Sequence, residues 1–334
     1  MPLVRKAKSS VPVPPVFNVT EEQLYNIIRN ALYRAGRIAD ADALASAIIN
    51  LQPDLLEQAL LTINVDTIGQ IIRDSITAVI NNAGVLAGQE IKPLIEATPD
   101  WGNANTLTGK PKGEFTFNIH NPVADLYAER QAGRLVTAIN DSMRLAIRQI
   151  ISDSFSKEIS VPYTAKKLRQ VIGLHPRWAQ AVDKFYDRTY KNLLKQGLKP
   201  EKALEKTDLL TDKYRQKLIR ARATMIARTE IQIAQNMGRQ LAWQQAVDGG
   251  WVAGDSMKQW QTVYKNNAGG PPCDKCAPLD GVQVRWDSAF DNGLLMPPAH
   301  PHCRCTAFLV PPSRGLNDAE WIRTGQMRYS GEQA

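Results

Sequence analysis

The sequence predicts a mainly α-helical protein: a multi-helix body with an extended N-terminal arm and a small C-terminal α+β module stapled by zinc. Three observations carry this prediction. Apolar residues recur at helical spacing from about residue 20 to residue 247. After Gly249-Gly250 that pattern gives way to short alternating runs. All four cysteines of the 334-residue chain lie within the 33 positions from Cys273 to Cys305, arranged as metal-ligand pairs.

Residues 1–18 read as a basic, proline-rich arm. Arg5, Lys6 and Lys8 precede Val11-Pro-Val-Pro-Pro15, which favours an extended polyproline-like chain. An N-terminal helical region, 19–100, begins at Thr20, whose hydroxyl can cap with Gln23 as capping-box partner. Further helices are expected over 43–51, 53–61 and 67–87, with Gly84 and Gly88 thinning the last. A central helical domain, 101–250, opens with a loop in which Phe115-Thr-Phe-Asn-Ile119 alternates as a strand does. A helix then runs from Pro122 to about Ser154, its buried stripe Leu126, Gly133, Val136, Ile139, Met143, Ile147 and Ile150. Ser160 caps a short helix over 165–172. Another spans 176–196 and stops at Gly197, and Lys199-Pro-Glu makes a turn. The longest runs from about Asp208 to Val247, with Tyr214, Leu218, Met225, Ile233, Met237 and Leu241 along one side. In the mixed module, 251–312, strands are expected as a pair within Trp251–Tyr264, at Val282–Trp286 and at Thr306–Val310. Residues 313–334 form a tail.

Hydrophobic content of 43% with 22% charged residues is ordinary for a soluble globular protein. No stretch reaches about 18 consecutive apolar residues, so no membrane span is expected. The net charge of +8 is unevenly placed: between Lys157 and Arg228, 18 Lys and Arg face 7 Asp and Glu, a local net of +11. Such a block points to a polyanion partner, nucleic acid first. The plainer reading is a solvated helix face laced with ion pairs, for which Glu201, Glu205 and Asp212 lie within reach.

Cys273-Asp-Lys-Cys276 is one pair, and His300-Pro-His-Cys303-Arg-Cys305 supplies the second cluster. Thiolates three residues apart on a tight turn reach one ion, and a second turn completes a tetrahedron. Disulfides would use the same cysteines, but the prolines after Met1-Pro-Leu-Val-Arg-Lys-Ala-Lys leave no readable secretory signal. Chance clustering of buried free thiols beside two of only four histidines is the weaker reading. Five groups compete for four places: Cys273, Cys276, His300, Cys303 and Cys305, with His302 a distant sixth. The matching three-residue spacing favours the first four, Cys305 being the substitute. Four protein ligands leave no open position for water, so the zinc is structural.

The ordered series Ile226-Ala-Arg-Thr-Glu230, Asn236, Gly238, Cys273-x-x-Cys276-x-x-Leu-Asp-Gly281 and Pro297-Pro-x-His300-Pro-x-Cys303-Arg-Cys305 resembles the phage head-morphogenesis family, which includes the F-like minor head protein of phage Mu. The likeness is most specific over about residues 224–308. It implies that the central region is a head-morphogenesis domain and that the chain is a minor capsid protein of a tailed phage. By the same resemblance the protein is made in the host cytoplasm. It is present in several copies in the virion, at the capsid interior or portal vertex. The implied partners are the portal protein, the major capsid protein and packaged double-stranded DNA. No enzymatic activity is implied. Cys273, Cys276, His300 and Cys303 map onto the family's metal positions, and Arg228, Thr229 and Glu230 onto its helix signature. On one helix those three point in different directions, so they form no joint catalytic site. Arg228 and Glu230 are expected to orient the long helix against the metal module. Leu279-Asp280-Gly281 reads as a turn.

Two rival readings remain. In a metal-dependent, HNH-like nuclease, His302 beside Asp280 or Asp287 would act as base and metal ligand, though the acid/base set is incomplete. In a DNA-binding adaptor, Lys157–Arg228 would carry the contact.

Overall fold

The structure is a computed structural model that describes residues 15–38, 65–97, 111, 113–157, 159–262 and 273–310. These residues are mainly helical: α1 (Pro15–Ile38), α2 (Val65–Glu90), α3 (Lys92–Ala97), α4 (Pro122–Ser156), α5 (Val161–Val171), α6 (Pro176–Lys195) and α7 (Pro200–Asp248). Strands β1 (Met257–Gln261), β2 (Gln283–Arg285) and β3 (Thr306–Val310) follow, with a 3₁₀ turn at Ala277–Leu279. The helices expected over 43–51 and 53–61, the first part of the arm and the C-terminal tail lie outside the described residues.

Several boundaries differ from expectation. Residues 15–18 of the expected arm are helical, and Thr20 lies inside α1. Proline at the first helical position sacrifices no intrahelical bond, so Pro15 can open the helix. For the same reason Pro200 starts α7, turning the expected Lys199-Pro-Glu turn into the entrance of a 49-residue helix. Helix α5 begins at Val161, and Ser160 holds the N-cap position without a side-chain capping bond. Helix α6 ends where expected, with Gly197 at φ 84°.

The described residues fall into two compact units, divided at 20/21, 75/76, 126/127 and 227/228, the one that holds β1–β3 being the first. In the second unit one buried row of α7 is rich in small residues. Along α7, Ala203, Thr207, Thr211, Arg215, Ile219, Ala223 and Ala227 recur every fourth position and are all buried. This is a ridge of the kind that packs into a neighbouring helix's groove. The expected stripe of Tyr214, Leu218 and Met225 sits beside it, half-buried. Along α4, Ala128, Ala132 and Leu135 take the place of the expected Gly133 and Val136, joining Met143, Ile147 and Ile150. Leu126, expected inside, is 47% exposed. Small side chains let helix backbones approach, so they define the seam while larger neighbours lie at its margins.

Two buried arginines of α7 satisfy carbonyls at and just past the end of α5. The Arg215 guanidinium donates to the Ile172 carbonyl at the end of α5 (3.1 Å), and Arg222 donates to the Gly173 carbonyl (2.8 Å) and Ser142 Oγ (2.6 Å). Helix ends leave carbonyls without intrahelical partners, and these cations satisfy them. Burial pushes the Arg222 pKa down to about 10. Nearby, the ammonium of buried Lys167 meets Asp183 (2.6 Å) and Asp187 (3.2 Å), and the Tyr186 hydroxyl donates to Asp208 (2.7 Å).

In the first unit α2 and α7 touch backbone to backbone. A Cβ on Gly238 would collide with the Ile80 carbonyl oxygen and lie 2.8 Å from Ala83 Cβ. The alternating Phe115–Ile119 run is not a strand. Its two rings instead fill the gaps left by two glycines one helical turn apart on α2, Phe117 against Gly84 and Phe115 against Gly88. An extended chain and a helix turn have similar repeat distances, so a period-2 pattern can serve a helix groove as well as a sheet.

The sheet has order β2-β1-β3, antiparallel throughout. Strand β3 lies where expected. Of the expected pair within Trp251–Tyr264 only β1 forms among the described residues, because Gly249-Gly250 leads into turns that place Trp251 edge-on to Phe115 (6.2 Å). Trp243, Trp260, Trp286 and Phe290 make the centre of the core, with Trp260 edge-to-face on Phe290 (5.0 Å). Beside them Lys258 is fully buried, its ammonium over the Phe290 ring (5.4 Å) and without a hydrogen-bond partner.

These contacts have measurable consequences. Gly238→Ala should destabilise the protein by about 1–3 kcal/mol or more in thermal melts, through overpacking. Gly133→Ala, on an exposed helix interior with no atom within 4 Å of the new methyl group, should stabilise it by about 0.5–1 kcal/mol. Burial pushes the Lys258 pKa down to about 8 from 10.5. The folded state therefore binds fewer protons between those values, and the penalty is full below pH 8 and relieved as pH rises toward 10.5. Lys258→Met should be more stable than the parent at pH 7, by about 1–3 kcal/mol, with the difference shrinking across that window.

Candidate metal centre

Two turns of the same kind hold the donors. In the first, the Cys276 and Ala277 N–H groups both donate to the Cys273 carbonyl (2.9 Å each), and the 3₁₀ turn continues from there. In the second, the Cys303 N–H donates to the His300 carbonyl (3.1 Å). Each turn therefore presents side chains three residues apart.

The five expected donors fall into two overlapping groups that share Cys276, and the favoured set of Cys273, Cys276, His300 and Cys303 is not gathered as one of them. Cys273, Cys276 and His300 form one group, and Cys276, Cys303 and Cys305 another, each with its ligand atoms within 4.8 Å of one another. His300 Nε2 lies 3.0 Å from Cys273 Sγ and 3.3 Å from Cys276 Sγ, and Cys276 Sγ lies 3.8 Å from Cys303 Sγ. For metal–sulfur bonds of about 2.3 Å, a tetrahedral edge is about 3.8 Å, so the sulfur spacing fits. All four cysteines are free thiols. Cys276, Cys303 and Cys305 are buried, and Cys273 and His300 partly so.

His300 is oriented for ligation. Its Nδ1 faces the Pro301 carbonyl at 2.8 Å. A carbonyl only accepts, so Nδ1 carries the proton and the Nε2 lone pair faces the sulfurs. The thiols oppose each other's ionisation. A hydrogen bond from Cys305 holds Cys303 down to about 5. Burial pushes Cys276 up to about 12, and the bond to Cys303 pushes Cys305 up as well. A cluster that admits one thiolate easily and resists the next is a site that a cation completes.

The second half of α7 grips these loops along one polar face. Thr229 Oγ1 accepts the His302 N–H (3.3 Å), Gln232 donates to the Cys305 carbonyl (2.9 Å) and Asn236 to the Pro297 carbonyl (3.0 Å). Arg239 pairs with Glu90 (2.8 Å) and also donates to Thr306 Oγ1. Thr306 in turn donates to Asn236 Oδ1 (3.3 Å), and Gln240 donates to the Trp286 carbonyl (3.3 Å). Of the helix signature, Thr229 bridges to the loop that carries the second ligand cluster, while Glu230 is buried and Arg228 partly so. Gln232, Arg239 and Gln240 were not singled out from the sequence. Together with Thr229 and Asn236 they recur at three- and four-residue spacing along one helix face, and that is the signal that could have found them.

The residues of the nuclease reading are dispersed. His302 is exposed and outside both donor groups. Asp280 accepts the Thr262 N–H (3.0 Å), and Asp287 pairs with Arg285.

Residues 188–308 match the family model described as Phage Mu protein F like protein. Over this segment the chain is similar to the Mu F-like family. The match begins inside α6 and ends inside β3, so it takes in all of α7 and every candidate ligand. No curated protein and no solved structure matches the chain.

Asn236→Ala leaves the buried Pro297 carbonyl without this donor, and should cost about 1–3 kcal/mol. It should also loosen metal retention, read as metal per chain after dialysis against a mild chelator. Cys276→Ser, which removes the donor common to both groups, should abolish retention.

Proposed function

We propose that this protein is a structural, non-enzymatic minor capsid component that acts in head morphogenesis of a tailed bacteriophage. It associates with the portal and the inner face of the shell, lies near packaged DNA, and carries a structural Zn²⁺ on Cys273, Cys276, His300 and Cys303, with Cys305 as the alternate ligand. The observation that carries this reading is the family match over 188–308, which covers the metal loops together with the helix that holds them.

Thiolate and imidazole donors suit zinc, and four protein ligands close its coordination sphere. A closed site supplies shape and no activated water. The module around it is small, with three strands of five, three and five residues, so metal affinity would add to its folding free energy.

The reading is tested in assembled heads. Purified heads from the encoding genome should contain the protein at the portal vertex or inner shell by cryo-electron microscopy. A null should yield few DNA-filled heads. Finding no copies in the heads, and normal head yield from the null, would sink it. For the metal, native mass spectrometry should find about one zinc per chain. Cys273→Ser should lose that zinc and Cys305→Ser keep it.

A further inference from the structure

We propose that the outward face of α6 is a docking surface for the phosphate backbone of double-stranded DNA; this rests on the head-assembly reading, which puts packaged DNA beside the protein. The face is made by Arg177, Lys184, Arg188, Lys191 and Lys195, all exposed. Successive separations of seven, four, three and four residues put the five side chains in a sector about 60° wide, extending about 27 Å along the axis. No other residue of the helix falls in that sector.

Among the described residues no carboxylate neutralises these charges. The two carboxylates of α6, Asp183 and Asp187, both turn inward to Lys167. Among the described residues none of the five cations has a carboxylate partner. Like charges three and four residues apart on a helix repel, and a polyanion laid along the face relieves that repulsion. The first half of α7 is different: Lys202, Lys206, Lys213 and Lys217 share their stretch with Glu201, Glu205, Asp208 and Asp212.

Duplex is favoured over other polyanions by what the face lacks. Single-strand binding uses exposed rings on which bases stack, but Phe185 packs on Tyr214 (4.9 Å) and Tyr190 on Tyr163 (5.6 Å). Insertion into a membrane surface needs large apolar side chains beside the cations, and the sector has none. A straight row of mobile cations suits a backbone carrying one charge per about 1.7 Å of duplex axis.

The test uses the full chain and a fluorescein-labelled duplex of about 30 bp, with anisotropy titrations from about 50 to 200 mM salt. The parent should bind without sequence preference. Lys184→Gln/Arg188→Gln/Lys191→Gln/Lys195→Gln should weaken binding at least about tenfold and flatten the log K against log salt slope by about 3–4. Lys202→Gln/Lys206→Gln/Lys213→Gln/Lys217→Gln should do much less. Matching melting curves check the fold, and if the α6 variant melts early, Lys191→Gln/Lys195→Gln should flatten the slope by about 2. Any of three results overturns the surface: no duplex binding at low salt, preference for single strands or anionic vesicles, or equal losses in the two quadruple variants. Those results leave the assembly reading standing, because that reading fails only if the parent protein is missing from heads.

Discussion

The loops that carry the candidate ligands are held in position by one polar face of α7. Thr229, Gln232, Asn236 and Gln240 reach backbone groups of the loops and of the chain between them. Backbone groups at such loops would otherwise be buried without partners, a cost of the same order as each hydrogen bond lost. The face must therefore be polar where it meets the loops and minimal where it meets α2. The second condition falls on Gly238, two residues beyond Asn236 and about half a turn round the helix. One short stretch thus satisfies a close helix–helix approach and a hydrogen-bonded loop at once, and few substitutions are compatible with both.

A site of this kind separates holding shape from doing chemistry. His300 is fixed by its own neighbour's carbonyl, three thiols are buried, and His302 lies outside the donor groups. Asp280 is occupied in ending β1, and Asp287 is engaged by Arg285. A nuclease would need a base and a carboxylate converging on a shared ion, and here those groups serve the backbone and the surface. This arrangement supports the structural reading of the metal.

Much of this was legible in the sequence, for physical reasons that also mark where it was not. The donors could be read because metal ligation needs particular residue types at particular spacings. Helices α6 and α7 and strand β3 could be read because period and punctuation agree, with Gly197 ending α6 and Gly249-Gly250 following α7. The buried faces were harder. In α7 the seam runs through alanine, threonine and glycine, residues that carry little hydropathy signal, while the conspicuous Tyr214, Leu218 and Met225 lie one position aside. Phe115 and Phe117 show the same limit from the other direction. Their alternation is real, but its partner is a pair of glycines on α2, far away in sequence.

Charge needs the same correction before it means anything. The block from Lys157 to Arg228 is rich in cations, yet Lys167, Arg215 and Arg222 point inward. Lys167 answers two carboxylates, and the arginines answer helix-end carbonyls. These three cations contribute to the fold and little to the field outside it. Their effect on the surface is indirect: by drawing Asp183 and Asp187 to the inner side of α6, Lys167 removes the only carboxylates that helix could offer its own outer face. Burying a cation inside thus concentrates uncompensated positive charge outside. The local net of +11 is therefore a poor measure of surface potential, whereas the position of each carboxylate is a good one.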